Sequence, residues 1–198
     1  MSDGQRGGDC FVVEGGRPIS GTVAPAGNKN EALPVLTATL LSPGETLLSN
    51  VPCIRDVFTL LEILADLGVR ASPLESGVPL RIDSSELAPR RPNSELGRTI
   101  RGSLLVGPGL LHRHGQAILP RPGGDRIGRR RIDTHLHALR LLGAEVETRE
   151  RHYHITLRGR FRGTDIFFDE ASVMATENAL MAAVVADGHT RIANAASE

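Results

Sequence analysis

The chain contains a single lysine, Lys29, among 23 basic residues. In the segment 24–34, a glycine turn precedes Asn30, a good helix cap, and Pro34 is tolerated only in a first helical turn. These signals predict a helix that begins between residues 30 and 33, with Lys29 beside its N-terminus. Backbone N–H groups, the helix dipole and an ammonium would then suit a phosphate or a carboxylate. The alternative is a capped helix without a ligand, beside a lysine that is there by chance.

Arginines cluster in a second segment that could contact an anion. Residues 119–133 hold five arginines among prolines and glycines, and Asp133 can cap the helix that follows. The glycines predict a mobile loop, and clustered guanidinium groups favour phosphate or carboxylate ligands. A solvated basic loop is the alternative, whereas RNA binding is disfavoured because no aromatic residue is interleaved.

Residues 170–178 form a third candidate segment. Ser172 or Thr176 can cap the helix that follows, and a capped helix N-terminus is able to hold an anion. The alternative is simple capping, with no ligand at the helix end.

Six of the seven histidines form pairs separated by one residue, at 112/114, 135/137 and 152/154. In a strand, His152 and His154 would share a face, whereas on a helix His135 and His137 would point about 200° apart. No cysteine or carboxylate has the spacing of a metal ligand. We therefore expect no metal site.

The elements that carry these segments recur along the chain. Glycines that end a helix stand at 44, 115 and 188, and each precedes a short strand. A second helix that Asp56 can cap ends near Gly68, and an equivalent helix that Asp133 can cap ends near Gly143. A hairpin follows each time, in the second case from strands over 144–148 and 152–157. One unit of helix, strand, helix and hairpin thus spans about 72 residues. We expect an α/β (α+β) fold in one domain, residues 1–198, with the third repeat incomplete at its C-terminus.

Composition excludes several classes of protein. The chain has no net charge, and aromatics are 3% with no tryptophan, so a single-stranded nucleic-acid platform is disfavoured. The two cysteines, Cys10 and Cys53, exclude a disulfide scaffold and favour a reducing compartment. No signal peptide is apparent, and no apolar run reaches the roughly 18 residues of a membrane span. We expect a cytoplasmic protein without membrane or nucleic-acid partners.

Taken together, the segments resemble the enolpyruvyl transferase family. The resemblance rests on residues 27–34, on Thr99, Ile100 and Arg101, on residues 122–135 and on residues 171–178 with 194–196. It implies two domains, each built from three repeated βαβαββ units, of which this chain would hold most of one. The first 20 or so residues would then pair with the absent second domain.

The resemblance is strongest to the branch of the family that acts on UDP-N-acetylglucosamine. It implies transfer of the enolpyruvyl group from phosphoenolpyruvate to the 3-hydroxyl of that sugar nucleotide, with release of phosphate. The reaction is an addition and elimination through a tetrahedral ketal, it needs no metal or organic cofactor, and it is the first committed step of peptidoglycan synthesis.

The family's functional positions carry over to individual residues of this chain. Lys29, Arg101 and Arg130 match the positions that bind phosphoenolpyruvate, and Asn30 matches a contact to the sugar. Asp125 stands where most members carry a reactive cysteine, and we expect it to act as a catalytic acid. The segments that match the uridine diphosphate site contain Arg131, Ile132, Asp133, Thr134, Ser172, Val173 and Met174, together with Arg130.

Three further departures from the family pattern lie near the nucleotide. Arg131 replaces a proline, Glu170 replaces a lysine and Met174 replaces a glycine. The last two put the detailed nucleotide contacts in doubt, but not the fold.

Two other functions remain open on the sequence. A sibling branch transfers enolpyruvyl to phosphoshikimate, although its serine-rich N-terminal motif is absent here. A non-catalytic or RNA-binding relative built from the same repeat is the other alternative, and the arginine cluster motivates it.

Overall fold

The computed structural model describes residues 11–121 and 131–197. Within these ranges the chain forms α-helices, short β-strands and two 3-10 helices, Thr39–Leu41 and Arg101–Val106. The α-helices are α1 (Lys29–Ala38), α2 (Arg55–Asp66), α3 (Ser94–Thr99), α4 (Gly107–His114), α5 (Asp133–Leu141) and α6 (Val173–Val184). The strands are β1 (Glu45–Leu48), β2 (Arg70–Ala71), β3 (Leu80–Asp83), β4 (Gln116–Pro120), β5 (Ala144–Thr148), β6 (His152–Leu157), β7 (Asp165–Phe167) and β8 (Arg191–Ala193).

The strands form two equivalent antiparallel sheets and one smaller pair. The orders are β1-β3-β2 and β4-β6-β5, so in each sheet the last strand of the unit lies in the middle. The β5–β6 hairpin lies where the sequence predicts it, with Ala144 opposite Leu157 and Thr148 opposite Tyr153. The unit of helix, strand, helix and hairpin is therefore present twice, and the repeated fold is confirmed.

The third unit contains α6 and β8, together with a strand that the sequence did not predict. Strand β7 pairs with β8 in parallel, and its three residues are too few to carry a periodic signal. Asn50 and Asn194, which follow β1 and β8, both adopt the left-handed conformation, with φ of 57° and 55°. This shared backbone conformation marks equivalent positions in the first and third units.

Three helix starts differ from the expected ones. Asn28, not Asn30, caps α1, because its side-chain oxygen accepts the N–H of Asn30 at 2.8 Å. Helix α2 begins after Ile54 and helix α5 after Ile132, so Asp56 and Asp133 lie inside first turns and do not cap. Both carboxylates are paired with cations instead, as described below.

The core lies between the inner helices of the three units. The 3-10 helix Arg101–Val106 and α6 each contact both α1 and α4, and α4 also contacts the 3-10 helix Thr39–Leu41. Leu36, Leu40 and Leu105 of these elements are fully buried. Gly109 allows the closest approach, because a Cβ there would lie 2.5 Å from that of Leu40. Across the described ranges, no helix is both long and apolar enough to cross a membrane.

Because Leu36 is fully buried in this core, we expect Leu36→Ala to lower the free energy of unfolding by about 2–5 kcal/mol. Val35→Ala is the matched control on the same helix, since Val35 is 40% exposed, and its cost should stay within about 1 kcal/mol. Urea denaturation of the two variants measures the difference. Equal losses would contradict the packing described here.

Candidate active site

The starts of three inner helices meet at one cleft. Lys29 opens α1, Arg101 opens the 3-10 helix and Val173 opens α6, so equivalent positions recur at intervals of 72 residues. The cleft has a volume of about 400 Å³. Its walls are formed by Lys29, Asn30, Leu33, Pro34, Arg101, Leu105, Arg131, Glu170, Ser172, Val173, Met174 and Glu177.

A second cleft of about 360 Å³ adjoins the first, and Arg131 lines both. Its other walls come from Asp133, Thr134, His137, Arg140, Phe167 and Asp169. The phenyl ring of Phe167 is 67% exposed and offers an apolar surface. Thr134 is buried, and within the described residues its hydroxyl has no hydrogen-bond partner.

Most of the predicted site residues therefore lie in or beside these two clefts. Ile132 packs against the hydrophobic core instead. Asp125 and Arg130 fall outside the described residues. His135 and His137 diverge as expected on a helix, since His135 is buried and His137 is exposed. No cluster of His, Cys, Asp and Glu residues within ranges 11–121 and 131–197 could hold a metal ion.

Lys29 is held by a carboxylate from the neighbouring helix. Its Nζ lies 3.1 Å from Oδ2 of Asp56, in the first turn of α2, and both side chains are partly exposed. A cation is unfavourable at a helix N-terminus, whereas a carboxylate there is favourable, so Asp56 offsets the field of α1 on Lys29. Sequence reasoning missed this role of Asp56, because an acidic residue in a first helical turn is common and carries no signal alone.

Arg131 connects two elements at the boundary of the clefts. Its guanidinium donates to both carboxylate oxygens of Asp133 and lies 2.8 Å from Oδ2 of Asp169, between β7 and α6. Hydrogen bonding from Arg131 lowers the pKa of Asp133, and hydrogen bonds to Asp133 and then Asp169 raise the pKa of Arg131. The guanidinium of Arg101 donates to the carbonyl oxygen of Arg131. The contacts of Arg131 with Asp133 and Asp169 join the start of α5 to the segment that precedes α6.

A buried polar pair holds the same helices together from inside. His135 and Asn178 are each 1% exposed, and the Asn178 amide nitrogen lies 2.8 Å from His135 Nδ1. The amide nitrogen of Asn178 also lies 3.4 Å from the carbonyl oxygen of Leu104. Burial, reinforced by the charge of Arg101, lowers the pKa of His135 to about 3. The imidazole is therefore neutral and accepts at Nδ1.

This buried neutral histidine predicts a pH-dependent stability. Unfolded His135 takes up a proton below about pH 6.5, whereas the folded form does so only near pH 3, so stability falls as the pH drops through that window. The contribution is at most about 1.4 kcal/mol per pH unit. We expect His135→Gln, which keeps an acceptor but does not titrate, to show a shallower slope in urea denaturation between pH 6.5 and 4.5.

The carboxylates titrate in the wild type and in His135→Gln alike. The difference between the two slopes of stability against pH therefore gives the contribution of His135 alone. Identical slopes in the two proteins would contradict a lowered pKa for the buried His135 imidazole. NMR titration of the wild-type chain gives a second check, since the His135 imidazole should stay neutral at pH 4.5.

Comparison with known proteins agrees with this architecture. The family model described as EPSP synthase (3-phosphoshikimate 1-carboxyvinyltransferase) matches residues 13–198. The UDP-N-acetylglucosamine 1-carboxyvinyltransferase of Treponema denticola is 46% identical over 188 residues, and that of Bradyrhizobium diazoefficiens is 47% identical over 189. In both cases the match covers 95% of this chain and 43% of the relative. The chain thus spans less than half the length of these relatives.

Solved structures show the same fold at low sequence identity. The enolpyruvyl transferase NikO from Streptomyces tendae has a TM-score of 0.74 at 23% identity, covering 90% of this chain and 41% of that one. EPSP synthase from Acinetobacter baumannii has a TM-score of 0.67 at 21% identity, covering 87% and 40%. With the family model matching nearly the whole chain, the protein belongs to the EPSP synthase family of enolpyruvyl transferases.

Proposed function

We propose that this chain forms one wall of an active site that transfers enolpyruvyl from phosphoenolpyruvate to UDP-N-acetylglucosamine. The main support for the proposal is that Lys29, Arg101 and the Ser172-capped start of α6 lie in one cleft. These residues come from three separate motifs of the sequence. The names of the Treponema and Bradyrhizobium relatives support the choice of acceptor. The reaction would be the first committed step of peptidoglycan synthesis.

Lys29 and Arg101 would bind the donor. Phosphoenolpyruvate carries a phosphate and a carboxylate, and two cations at helix starts match such a pair of anions. During addition, the acceptor oxygen bonds to C2 of the donor, the acceptor loses its proton and the methylene carbon gains one. Elimination then breaks the bond from C2 to the phosphate oxygen and removes a methyl proton, which restores the double bond. We propose Asp125 as the acid that protonates the methylene carbon.

The acceptor would extend across both clefts. Since Arg131 lines the two of them, one elongated ligand can reach from the main cleft into the second. The sugar would lie near Asn30, and the phosphates near Ser172. The nucleoside would lie by Asp133 and Thr134, where the exposed ring of Phe167 offers a surface for stacking.

The remaining groups of the site would come from a second domain. Residues 11–23 have exposed apolar side chains, including Phe11 and Ile19 at 99% and Val23 at 88%. A run of exposed apolar side chains is typical of a segment that contacts another part of a protein. We propose that this segment joins the second domain, and that the protein is cytoplasmic, in keeping with its low cysteine content.

Phosphoshikimate is the second candidate acceptor, because the matching family model carries the name of that enzyme. The proposed transfer to UDP-N-acetylglucosamine, transfer to phosphoshikimate and RNA binding can be distinguished by NMR. The chain is titrated separately with UDP-N-acetylglucosamine, phosphoshikimate and an RNA oligomer. We expect chemical-shift changes with the sugar nucleotide alone. Shifts only with phosphoshikimate or only with RNA would overturn the proposed acceptor.

Removal of the Lys29 ammonium should weaken binding of the donor. We expect Lys29→Ala to raise the Kd of the chain for phosphoenolpyruvate at least about tenfold, as the loss of a charge-assisted contact implies. Lys29→Arg should restore little of the affinity for phosphoenolpyruvate, because a planar guanidinium has a different reach and geometry from an ammonium. Calorimetric titration measures both, with Arg158→Ala as the control, since Arg158 is 87% exposed and lies outside the cleft. Unchanged affinity in Lys29→Ala would contradict this role.

The 198 residues alone should not turn over substrate. One wall of a site that closes between two domains lacks the opposing groups. We expect no measurable phosphate release when phosphoenolpyruvate and UDP-N-acetylglucosamine are mixed with the purified chain. Release at rates of about 1 s⁻¹ or more, which are typical of enzymes, would show that no second domain is needed.

A further inference from the structure

The buried pair of His135 and Asn178 lies directly behind the walls of both clefts. His135 follows Thr134, which lines the second cleft. Asn178 follows Glu177, which lines the main cleft. The amide nitrogen of Asn178 lies 2.8 Å from His135 Nδ1 and 3.4 Å from the carbonyl oxygen of Leu104. This one amide therefore connects α5, α6 and the second 3-10 helix, which are the elements that carry the site.

Stability alone does not account for a polar pair at this place. Both side chains are 1% exposed, and among the described residues His135 Nε2 and Asn178 Oδ1 have no hydrogen-bond partner. A buried polar atom without a partner lowers the stability of a fold, whereas two apolar side chains of similar shape would pack there without that loss. What the polar pair adds is a directional contact, which fixes one arrangement of the two helices.

The packing of α6 makes such a fixed point useful. Three of the six buried residues of α6 are alanines, namely Ala175, Ala179 and Ala182. Short side chains form low ridges, so a helix that packs through them can shift along its neighbour with little loss of contact. The hydrogen bond between Asn178 and His135 opposes a shift between α5 and α6, because it breaks once its two atoms move apart.

We propose that the hydrogen bond between His135 and Asn178 positions the starts of α5 and α6 so that the two clefts line up to bind one sugar nucleotide. The inference rests on the proposed function, because it takes UDP-N-acetylglucosamine as the ligand that spans both clefts. Without the hydrogen bond, only some of the molecules hold the arrangement that binds this ligand. If that share falls to about a tenth, the apparent Kd rises about tenfold.

Binding of phosphoenolpyruvate should depend much less on the pair. The 3-10 helix that begins at Arg101 is also held by another contact, since the Ser103 hydroxyl donates to the carbonyl oxygen of Gly97 at 2.7 Å. Lys29 is held by Asp56, away from α5 and α6. Loss of the polar pair should therefore weaken binding of the acceptor and spare binding of the donor.

The test is calorimetric titration of the 198-residue chain with UDP-N-acetylglucosamine and with phosphoenolpyruvate. In the double variant His135→Leu/Asn178→Leu, an apolar pair replaces the polar one, so the urea midpoint should stay close to that of the wild type. We expect its Kd for the sugar nucleotide to rise about tenfold. Its Kd for phosphoenolpyruvate should stay within about threefold of the wild-type value.

Two further variants test whether the hydrogen bond itself is responsible. Asn178→Ala removes the donor with a smaller change of shape, and it should show the same rise in Kd for the sugar nucleotide if the double variant does not fold. His135→Gln keeps an acceptor for the Asn178 amide, so it should bind the sugar nucleotide within about threefold of the wild type.

Ser84→Ala is the matched control for the loss of a buried hydrogen bond. Ser84 is fully buried, and its hydroxyl lies 2.8 Å from the carbonyl oxygens of Thr39 and Ser42, outside both clefts. This variant should lower the urea midpoint and leave both dissociation constants unchanged.

The outcomes separate the inference from the function on which it rests. The positioning role would be overturned by an unchanged Kd for the sugar nucleotide in the folded double variant or in Asn178→Ala, or by equal losses for both ligands. A loss in His135→Gln as large as in the double variant would also overturn it. Each of these results leaves the proposed function intact. If the wild type does not bind UDP-N-acetylglucosamine, the proposed function is overturned, and the inference with it.

Discussion

The feature on which the site depends is the meeting of several helix N-termini in one space. Three inner helices begin at Lys29, Arg101 and Val173, each 72 residues after the last, and the fold brings these equivalent ends to one cleft. Each end carries partial positive charge, so the ends repel one another unless anions lie between them. The repeated arrangement of the core therefore favours negative charge at one point on its surface, where the equivalent helix ends meet.

The chain places several of its own carboxylates beside the cations at these helix ends. Asp56 pairs with Lys29, and Asp133 and Asp169 pair with Arg131. These pairs are partly exposed, and each contributes little to stability, because water and salt screen them. A ligand with well-placed anionic groups can thus replace or join them at small cost. This property suits the proposed role of the clefts in binding and releasing charged substrates.

The local signals in the sequence were sufficient to predict the repeated helices and strands. Glycines with positive φ at 44, 68, 115, 143 and 188 end helices or turns where they were expected, and the β5–β6 hairpin follows the predicted strands. The helix starts were less predictable, since Asp56 and Asp133 resemble caps until their distant or neighbouring cations are known. The pair of His135 and Asn178 joins residues 43 positions apart, and no local pattern indicates such a contact. Asp169 was missed for the same reason, because its partnership with Arg131 depends on how β7 packs beside α5.

The residues that line the candidate site differ in how far they are packed into the core. Lys29 and Arg101 stand at the starts of helices whose next turns are buried, and Leu33 and Leu105 of those turns also line the cleft, so substitution of these two leucines would disturb the core. Arg131 and Glu170 are exposed, as is Lys29, so substitution of these charged residues costs little packing, whereas Met174 packs partly against the core. The leucines of the cleft are thus fixed by the core, whereas its charged residues can vary in type, and such variation is how one fold comes to bind different ligands.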